Sequence, residues 1–288
     1  MQFVGLVLIV LIAFAANSVL GRLAIGGGHM DAMGFGLLRL ASGAAMLLTL
    51  CWWQTRPVSA SNSPVPPVRW ADALGGGAAL TLYMIGFCLA YQGLDAGLGA
   101  LVLFGVVQIS MFGWGALRGN RVGAGQILGA SLAFLGLAYV VWPSGPVQVP
   151  LGASLLMALS GLGWAAYTLL GRGTRDPVRA SAMNFLAATV MMLPFVLLTL
   201  SDLHVSGTGV ILAVLSGAVT SGLGYALWYR VLPQLQPATA ATIQLSVPVI
   251  AIIGGALILA EPVGVRLMLG TVAVLGGIAL VIWSAPKQ

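Results

Sequence analysis

Apolar residues run along this chain in blocks of about twenty, separated by short clusters of charge, proline and small polar residues. A bilayer core about 30 Å thick is crossed by roughly 20 residues of helix. On that rule the breaks predict ten spans, at 3–24, 31–53, 71–93, 97–117, 122–142, 151–171, 178–200, 208–230, 237–259 and 264–284. Most connections are short. The long one, 54–70, is rich in Pro and Ser, carries Arg56 and Arg69, and reads as a flexible linker. The pattern predicts an all-α integral membrane protein.

Composition agrees. Hydrophobic residues make up 59% of the chain, charged residues 6%, and the mean hydropathy is +1.04. A soluble domain carries about 25% charged residues, so this chain lacks the means to cover a water-facing surface. The 12 basic against 6 acidic residues would suggest nucleic acid in a soluble protein; here they mark cytoplasmic loops. Cys51 and Cys88 fall inside apolar runs and read as reduced residues with no disulfide role. No Lys or Arg precedes the first apolar run, so it reads as a retained helix and not as a cleaved signal.

Charge then sets orientation. Connections after even-numbered spans carry Arg56, Arg69, Arg118, Arg121, Arg172, Arg175, Arg179 and Arg230, whereas those after odd-numbered spans carry Arg22 and Arg266. Basic residues near span ends accumulate on the cytoplasmic side. Both termini are therefore expected there, in agreement with Lys287.

The halves also echo each other. Residues 14–22 (FAANSVLGR) match 164–172 (WAAYTLLGR), and 122–142 match 263–283 with Gly123/Gly264, Gly129/Gly270, Gly136/Gly277 and Trp142/Trp283 in one register. Residues 85–93 (IGFCLAYQG) match 223–231 (LGYALWYRV). Five spans per repeat is an odd number, so the second copy is upside down. The expected organisation is a 5+5 inverted-topology repeat, 1–145 and 146–288.

Polar residues inside the spans locate a candidate cavity. Spans 5 and 10 hold regularly spaced glycines and look like scaffold. Spans 1, 3, 4, 6, 8 and 9 hold Asn17, Tyr83, Gln108, Trp164, Ser216, Thr220, Ser221, Tyr225, Thr239, Thr242 and Gln244. Polar groups in hydrocarbon need protein or water around them, so these spans are expected to line a site. Trp164 lies near mid-span, whereas Trp52, Trp53, Trp70, Trp142 and Trp283 lie at ends, as interfacial tryptophans do. Tyr91 and Tyr229 lie nearer span ends and read as structural. Interhelical bonding remains the alternative for Gln108 and Gln244. Pro248 removes a backbone bond to the Gln244 carbonyl and predicts a kink; Pro194 and Pro233 also interrupt or end helices.

One charge is deep in the apolar run. Arg39 lies about two turns into span 2. It suits a substrate carboxylate, helix-end carbonyls, or a snorkelling position toward the near face. Asp31, Asp72, Asp95, Asp176, Asp202 and Glu261 all lie near ends or in connections, as do His29 and His204. No proton relay is evident, which favours facilitated transport or exchange. Catalytic motifs, metal-ligand clusters and cofactor fingerprints are absent from the sequence, so neither an enzyme nor a cofactor is expected.

Residues 236–282 resemble the second half of an EamA-type transporter, in the drug/metabolite transporter superfamily. The resemblance rests on the small polar start of span 9, on Pro248, on Glu261 and Pro262 before Gly264, Gly270 and Gly277, and on Arg39 in span 2. It implies a ten-span carrier with a 5+5 inverted repeat. The first half departs from the pattern, with Asn120 where the repeat would place a partner for Glu261, which suggests a loop-structuring role for Glu261. The whole sequence is most similar to YddG-type amino acid exporters. That resemblance implies export of amino acids from the cytoplasm across an inner membrane, including aromatic ones in some members. Trp164 and Tyr83 would suit the side chain, and Asn17, Gln108 and Gln244 the amino and carboxylate groups; Tyr225 and Arg39 complete the candidate set. The expected protein is a monomer-competent carrier in the lipid bilayer, with a small-molecule substrate and no nucleic-acid partner. Alternatives are a drug or other small-metabolite exporter, a channel, or a non-transporting scaffold.

Overall fold

Ten apolar helices follow one another in the computed structural model, which describes residues 2–54, 70–119, 123–142, 150–171, 174–231, 234 and 243–284. Arg56, Arg69, Asn120, Arg121, Arg172, Pro233, Thr239, Thr242 and Lys287 lie outside the described residues. The helices are α1 (Gln2–Gly21, continued by a π-helical turn Arg22–Gly26), α2 (Ala32–Gln54), α3 (Trp70–Ala90), α4 (Ala96–Leu117) and α5 (Ala124–Val141). Then come α6 (Leu151–Leu170), α7 (Pro177–Leu198), α8 (Gly207–Val231), α9 (Ser246–Ile258) and α10 (Val265–Trp283). Nine of these among the described residues are long and apolar enough to cross a membrane, and α9 is shorter. The chain is a multi-pass membrane protein.

Within the expected span 237–259, of which 237–242 lie outside the described residues, the helix is interrupted where Pro248 predicts a kink. A turn at Leu245 separates a short helical piece at 243–244 from α9. Pro248 is the physical cause. It stands in the first turn of α9, where a missing N–H costs nothing, and it has no hydrogen to give to the Gln244 carbonyl. The Ser246 hydroxyl closes the break by donating to the Ile243 carbonyl at 2.7 Å.

Local chemistry fixes the other helix ends. Asp31 accepts the Gly34 N–H at 2.7 Å at the start of α2, and Asp176 accepts from Arg179 at 3.0 Å before Pro177 opens α7. Ser206 accepts from Gly209 at the start of α8 and donates to the His29 carbonyl at 2.7 Å, beside a single antiparallel bridge between Met30 and Val205. These are side-chain caps on orphan N–H groups. Helix α4 is capped from far away in sequence. Both Glu261 carboxylate oxygens accept the Ala96 N–H at 2.9 Å, and Arg22 reaches Glu261 at 3.6 Å and Asp95 at 3.7 Å. Arg22 also donates to the Tyr91 and Gln92 carbonyls, at 3.1 and 3.4 Å. The ends of α1, α3, α4 and α9 are thus tied together at one face of the bundle.

Glycine decides which helices touch most closely. Helices α5 and α10 pack antiparallel, and a Cβ on Gly277 would come within 2.5 Å of the Ala133 nitrogen and the Gly129 carbonyl oxygen. A Cβ on Gly129 would meet the Gly277 carbonyl at 2.5 Å in return. The outward faces of this pair are apolar and exposed, with Leu128, Phe134, Leu135, Leu269 and Val272, as a lipid-facing surface requires. The capping residues Gly123 and Gly264 have nearly equal torsions, φ −81°, ψ 159° and φ −79°, ψ 158°.

Two predictions follow from this packing. Gly277→Val forces a branched side chain against backbone and is expected to destabilise the protein by about 1–3 kcal/mol, read as a lower unfolding temperature in detergent; an unchanged temperature would remove the close contact from the account. Glu261 makes the second. Burial pushes its carboxyl above the usual glutamate range and Asp95 adds to the rise, while the Ala96 N–H and Arg22 pull it back. The folded chain therefore holds this proton more tightly than the unfolded chain. Its stabilising contribution is full below the ordinary glutamate range and is lost as pH rises through the raised folded value. Between about pH 4 and pH 7, the unfolding temperature of Glu261→Gln should fall less than that of the unsubstituted protein, and equal slopes would contradict the assignment.

Candidate functional site

The interior of the bundle is organised around Arg39. Its side chain is 1% exposed, so it neither snorkels to the membrane face nor reaches helix-end carbonyls. Its Nη2 donates to the Tyr83 hydroxyl at 2.9 Å and to Ser221 Oγ at 3.3 Å, and Nε points to the same Ser221 oxygen at 3.4 Å. The guanidinium carbon lies 4.6 Å from the centre of the Phe87 ring and 5.5 Å from that of Tyr83, a cation–π arrangement. Nη1 is buried and meets no hydrogen-bond partner among the described residues.

Close backbone contacts bring these groups together. Helix α8 comes so near α2 that a Cβ on Gly217 would strike Ser42 Oγ and the Arg39 carbonyl. Helix α6 approaches α3 in the same way, with the Cβ position of Gly163 2.6 Å from the Tyr83 nitrogen. Ser160 Oγ then donates to the Tyr83 carbonyl at 2.8 Å. Residues Leu215–Leu223 of α8 are π-helical, a widening of the helix common at functional sites. They carry Ser216, Thr220 and Ser221, whose hydroxyls lie 2.8, 2.7 and 3.3 Å from Asn17 Oδ1, with the Ser216 carbonyl as a second acceptor for Thr220 at 2.9 Å.

Aromatic rings enclose the polar centre. Trp164 lies 5.1 Å from Tyr83, 5.3 Å from Tyr225 and 5.4 Å from Tyr167, centre to centre. Tyr225 also meets Phe14 edge-on at 5.7 Å and Phe185 at 5.8 Å. Tyr83 and Tyr225 are each 5% exposed, while Trp164 is half-buried. Below this shell, Tyr167 and Tyr229 share the Ser181 hydroxyl at 2.9 and 3.3 Å, tying α6, α7 and α8.

Five of the seven residues picked from the sequence therefore gather in one place: Asn17, Arg39, Tyr83, Trp164 and Tyr225. Gln108 and Gln244 stand apart from them. Gln108 faces a small cleft toward α5 and α10, with Phe112, Ala133 and Ile278. Gln244 sits at the break before α9. Tyr91 is structural, fully buried and bonded to the Ala96 carbonyl at 3.3 Å. Cys51 and Cys88 are free thiols.

Phe87 and the role of Ser221 were not picked out in the sequence. The signal was there in the match of 85–93 to 223–231, which sets Phe87 opposite Tyr225 and, continued two residues before its start, sets Tyr83 opposite Ser221.

Asn17 Oδ1 is the acceptor for the buried Ser216 and Ser221 hydroxyls, whereas Thr220 also has the Ser216 carbonyl, so Asn17→Leu leaves two buried donors without an acceptor. A loss of roughly 1–3 kcal/mol per unsatisfied group is expected, seen as a lower unfolding temperature. Asn17→Leu with unchanged stability would show that these bonds do not matter.

Comparison with known proteins adds the family. The EamA-like transporter family model matches residues 151–283. An uncharacterized protein of Pseudomonas aeruginosa is 47% identical over 282 residues, 98% of this chain and 94% of that one. A probable amino-acid metabolite efflux pump of Salmonella typhimurium is 23% identical over 229 residues, 74% of this chain and 77% of that one. A solved crystal structure superposes with a TM-score of 0.68 at 16% identity, over 96% of this chain and 98% of that one, and so shares the fold. With its helical bundle and these matches, the chain belongs to the EamA-like transporter family, in the drug/metabolite transporter superfamily.

Proposed function

We propose that this transporter exports amino acids, aromatic ones included, from the cytoplasm across an inner membrane by alternating access. The observation that carries the reading is the aromatic enclosure of Trp164, Tyr83 and Tyr225 around the buried Arg39. Rings at stacking distance suit an apolar or aromatic side chain, and a guanidinium suits a carboxylate. The Salmonella relative's description as a probable amino-acid metabolite efflux pump supports the same substrate class.

The proposal treats residues 1–145 and 146–288 as two inverted five-helix repeats, with both termini cytoplasmic. Support comes from the antiparallel α5–α10 pair with its equivalent capping glycines. A second support is the Arg39 guanidinium, held by Tyr83 and Ser221, which occupy matching positions of α3 and α8. In this scheme α3–α4 and α8–α9 rock about the scaffold pair, and one chain suffices for transport.

Purified protein in liposomes tests the proposal. Saturable counterflow of phenylalanine or another apolar amino acid is expected. Trp164→Ala and Tyr83→Ala should each weaken half-saturation by about three- to tenfold through lost ring contacts. Unchanged transport in both variants would overturn the site, and unitary currents in place of counterflow would make the protein a channel.

A further inference from the structure

The central charge has no counter-ion. All six acidic residues of the chain lie near helix ends or in connections, and Arg39 forms no ion pair among the described residues. Asp31, on the same helix, is eight residues away, about 12 Å along the axis at 1.5 Å per residue. Its Oδ1 is committed to the cap of α2, and its Oδ2, buried without a hydrogen-bond partner among the described residues, lies against Gly34 in the first turn of that helix. The segment 232–242, between α8 and α9, contains no Asp or Glu. A buried cation without a fixed anion is costly, and binding of a mobile anion relieves that cost.

The hydrogen-bond inventory points the same way. Arg39 Nη1 is buried with its N–H groups unused among the described residues. Tyr83 Oη already accepts from Arg39, so its own O–H is a donor to whatever lies beside it. The main neutral acceptor nearby, Asn17 Oδ1, has the Ser216, Thr220 and Ser221 hydroxyls within reach, and two of these fill both lone pairs of the amide oxygen. Ser221 Oγ accepts twice from Arg39 and donates to Asn17. The centre thus offers donors and positive charge, and two of its oxygens, Asn17 Oδ1 and Ser221 Oγ, are already bonded. An ammonium group brought here meets the like charge of Arg39 beside those two engaged oxygens. A carboxylate finds a guanidinium edge and a hydroxyl, next to rings that accept an aromatic body.

We propose that this site reads the carboxylate of its cargo and not the ammonium, so that aromatic monocarboxylates lacking an amino group are carried in preference to the corresponding amino acids. The inference rests on the reading of this enclosure as the substrate site. A monoanion together with Arg39 forms an electrically neutral pair inside the bundle, whereas a zwitterion leaves one positive charge unpaired.

The test compares uptake of 3-phenylpropionate, phenylalanine and phenethylamine by the full-length protein in liposomes. These three share a ring and differ only in which charged group they carry. Half-saturation by phenylpropionate at a roughly tenfold lower concentration than phenylalanine is expected, with phenethylamine neither carried nor competing. Phenylalanine carried in preference to phenylpropionate would overturn the inference and leave amino acid export standing. Phenylpropionate carried without phenylalanine would uphold the inference and end the amino acid reading. Transport of none of the three would overturn both, and so would transport of phenethylamine alone. Two variants report on the cause. Arg39→Gln should lose phenylpropionate transport that Arg39→Lys retains. Asn17→Asp, which sets a carboxylate on the Ser221 hydroxyl shared with Arg39, should weaken phenylpropionate by about tenfold and remove its advantage over phenylalanine. A preference unchanged in a well-folded Asn17→Asp protein would contradict the charge argument; folding is checked by elution profile, and the wild-type comparison decides the matter without any variant.

Discussion

A guanidinium held inside a membrane bundle constrains everything packed around it. Insertion scales put the cost of an arginine at the centre of a membrane helix at about 2.5–3.5 kcal/mol. Here the charge is not relieved by snorkelling or by a carboxylate. Its partners are two hydroxyls from helices α3 and α8 and the face of Phe87. Those partners sit in place only because α2, α3, α6 and α8 approach at backbone distance through Gly163 and Gly217. The π-helical widening of α8 sets Ser216, Thr220 and Ser221 on Asn17, and Ser221 in turn on Arg39. The polar centre is therefore one connected network, spanning α1, α2, α3 and α8, with the aromatic rings as its wall.

The remaining helices divide between frame and closure. Helices α5 and α10 interlock through glycines and present apolar faces outward, so they hold shape without adding chemistry to the centre. At one face of the bundle, Arg22 and Glu261 tie the ends of α1, α4 and α9, with a backbone N–H of α4 as the shared partner. Glu261 thus does the loop-structuring work its position in the sequence suggested. The Tyr167–Ser181–Tyr229 bonds tie α6, α7 and α8 below the aromatic shell.

Helix positions were legible in the sequence because bilayer thickness fixes the length of an apolar run. The interruption before α9 was legible as well, because Pro248 has no N–H to give to the Gln244 carbonyl. Depth was legible too: Arg39, Asn17, Tyr83, Trp164 and Tyr225 were picked out as polar or aromatic residues far from span ends, and they meet. Direction was not. Helices that are apolar on every side carry no amphipathic stripe to show which face turns inward, so Gln108 looked like Asn17 yet faces the scaffold pair. Phe87 gave no polar signal at all, although its ring centre lies nearer the guanidinium carbon than that of Tyr83. Ser221 became visible as a partner of Arg39 only when the π-helical turn brought it round.

The central claim is that the Arg39 enclosure receives the carboxylate of an aromatic substrate. Crystals of the protein grown with 3-(4-bromophenyl)propionate test it directly through the anomalous signal of bromine. The account predicts one bromine peak among the rings of Trp164, Tyr83 and Tyr225, with the carboxylate against the Arg39 guanidinium. A peak at the cleft beside Gln108, or on the outer apolar faces alone with Arg39 still bonded only to Tyr83 and Ser221, would contradict it.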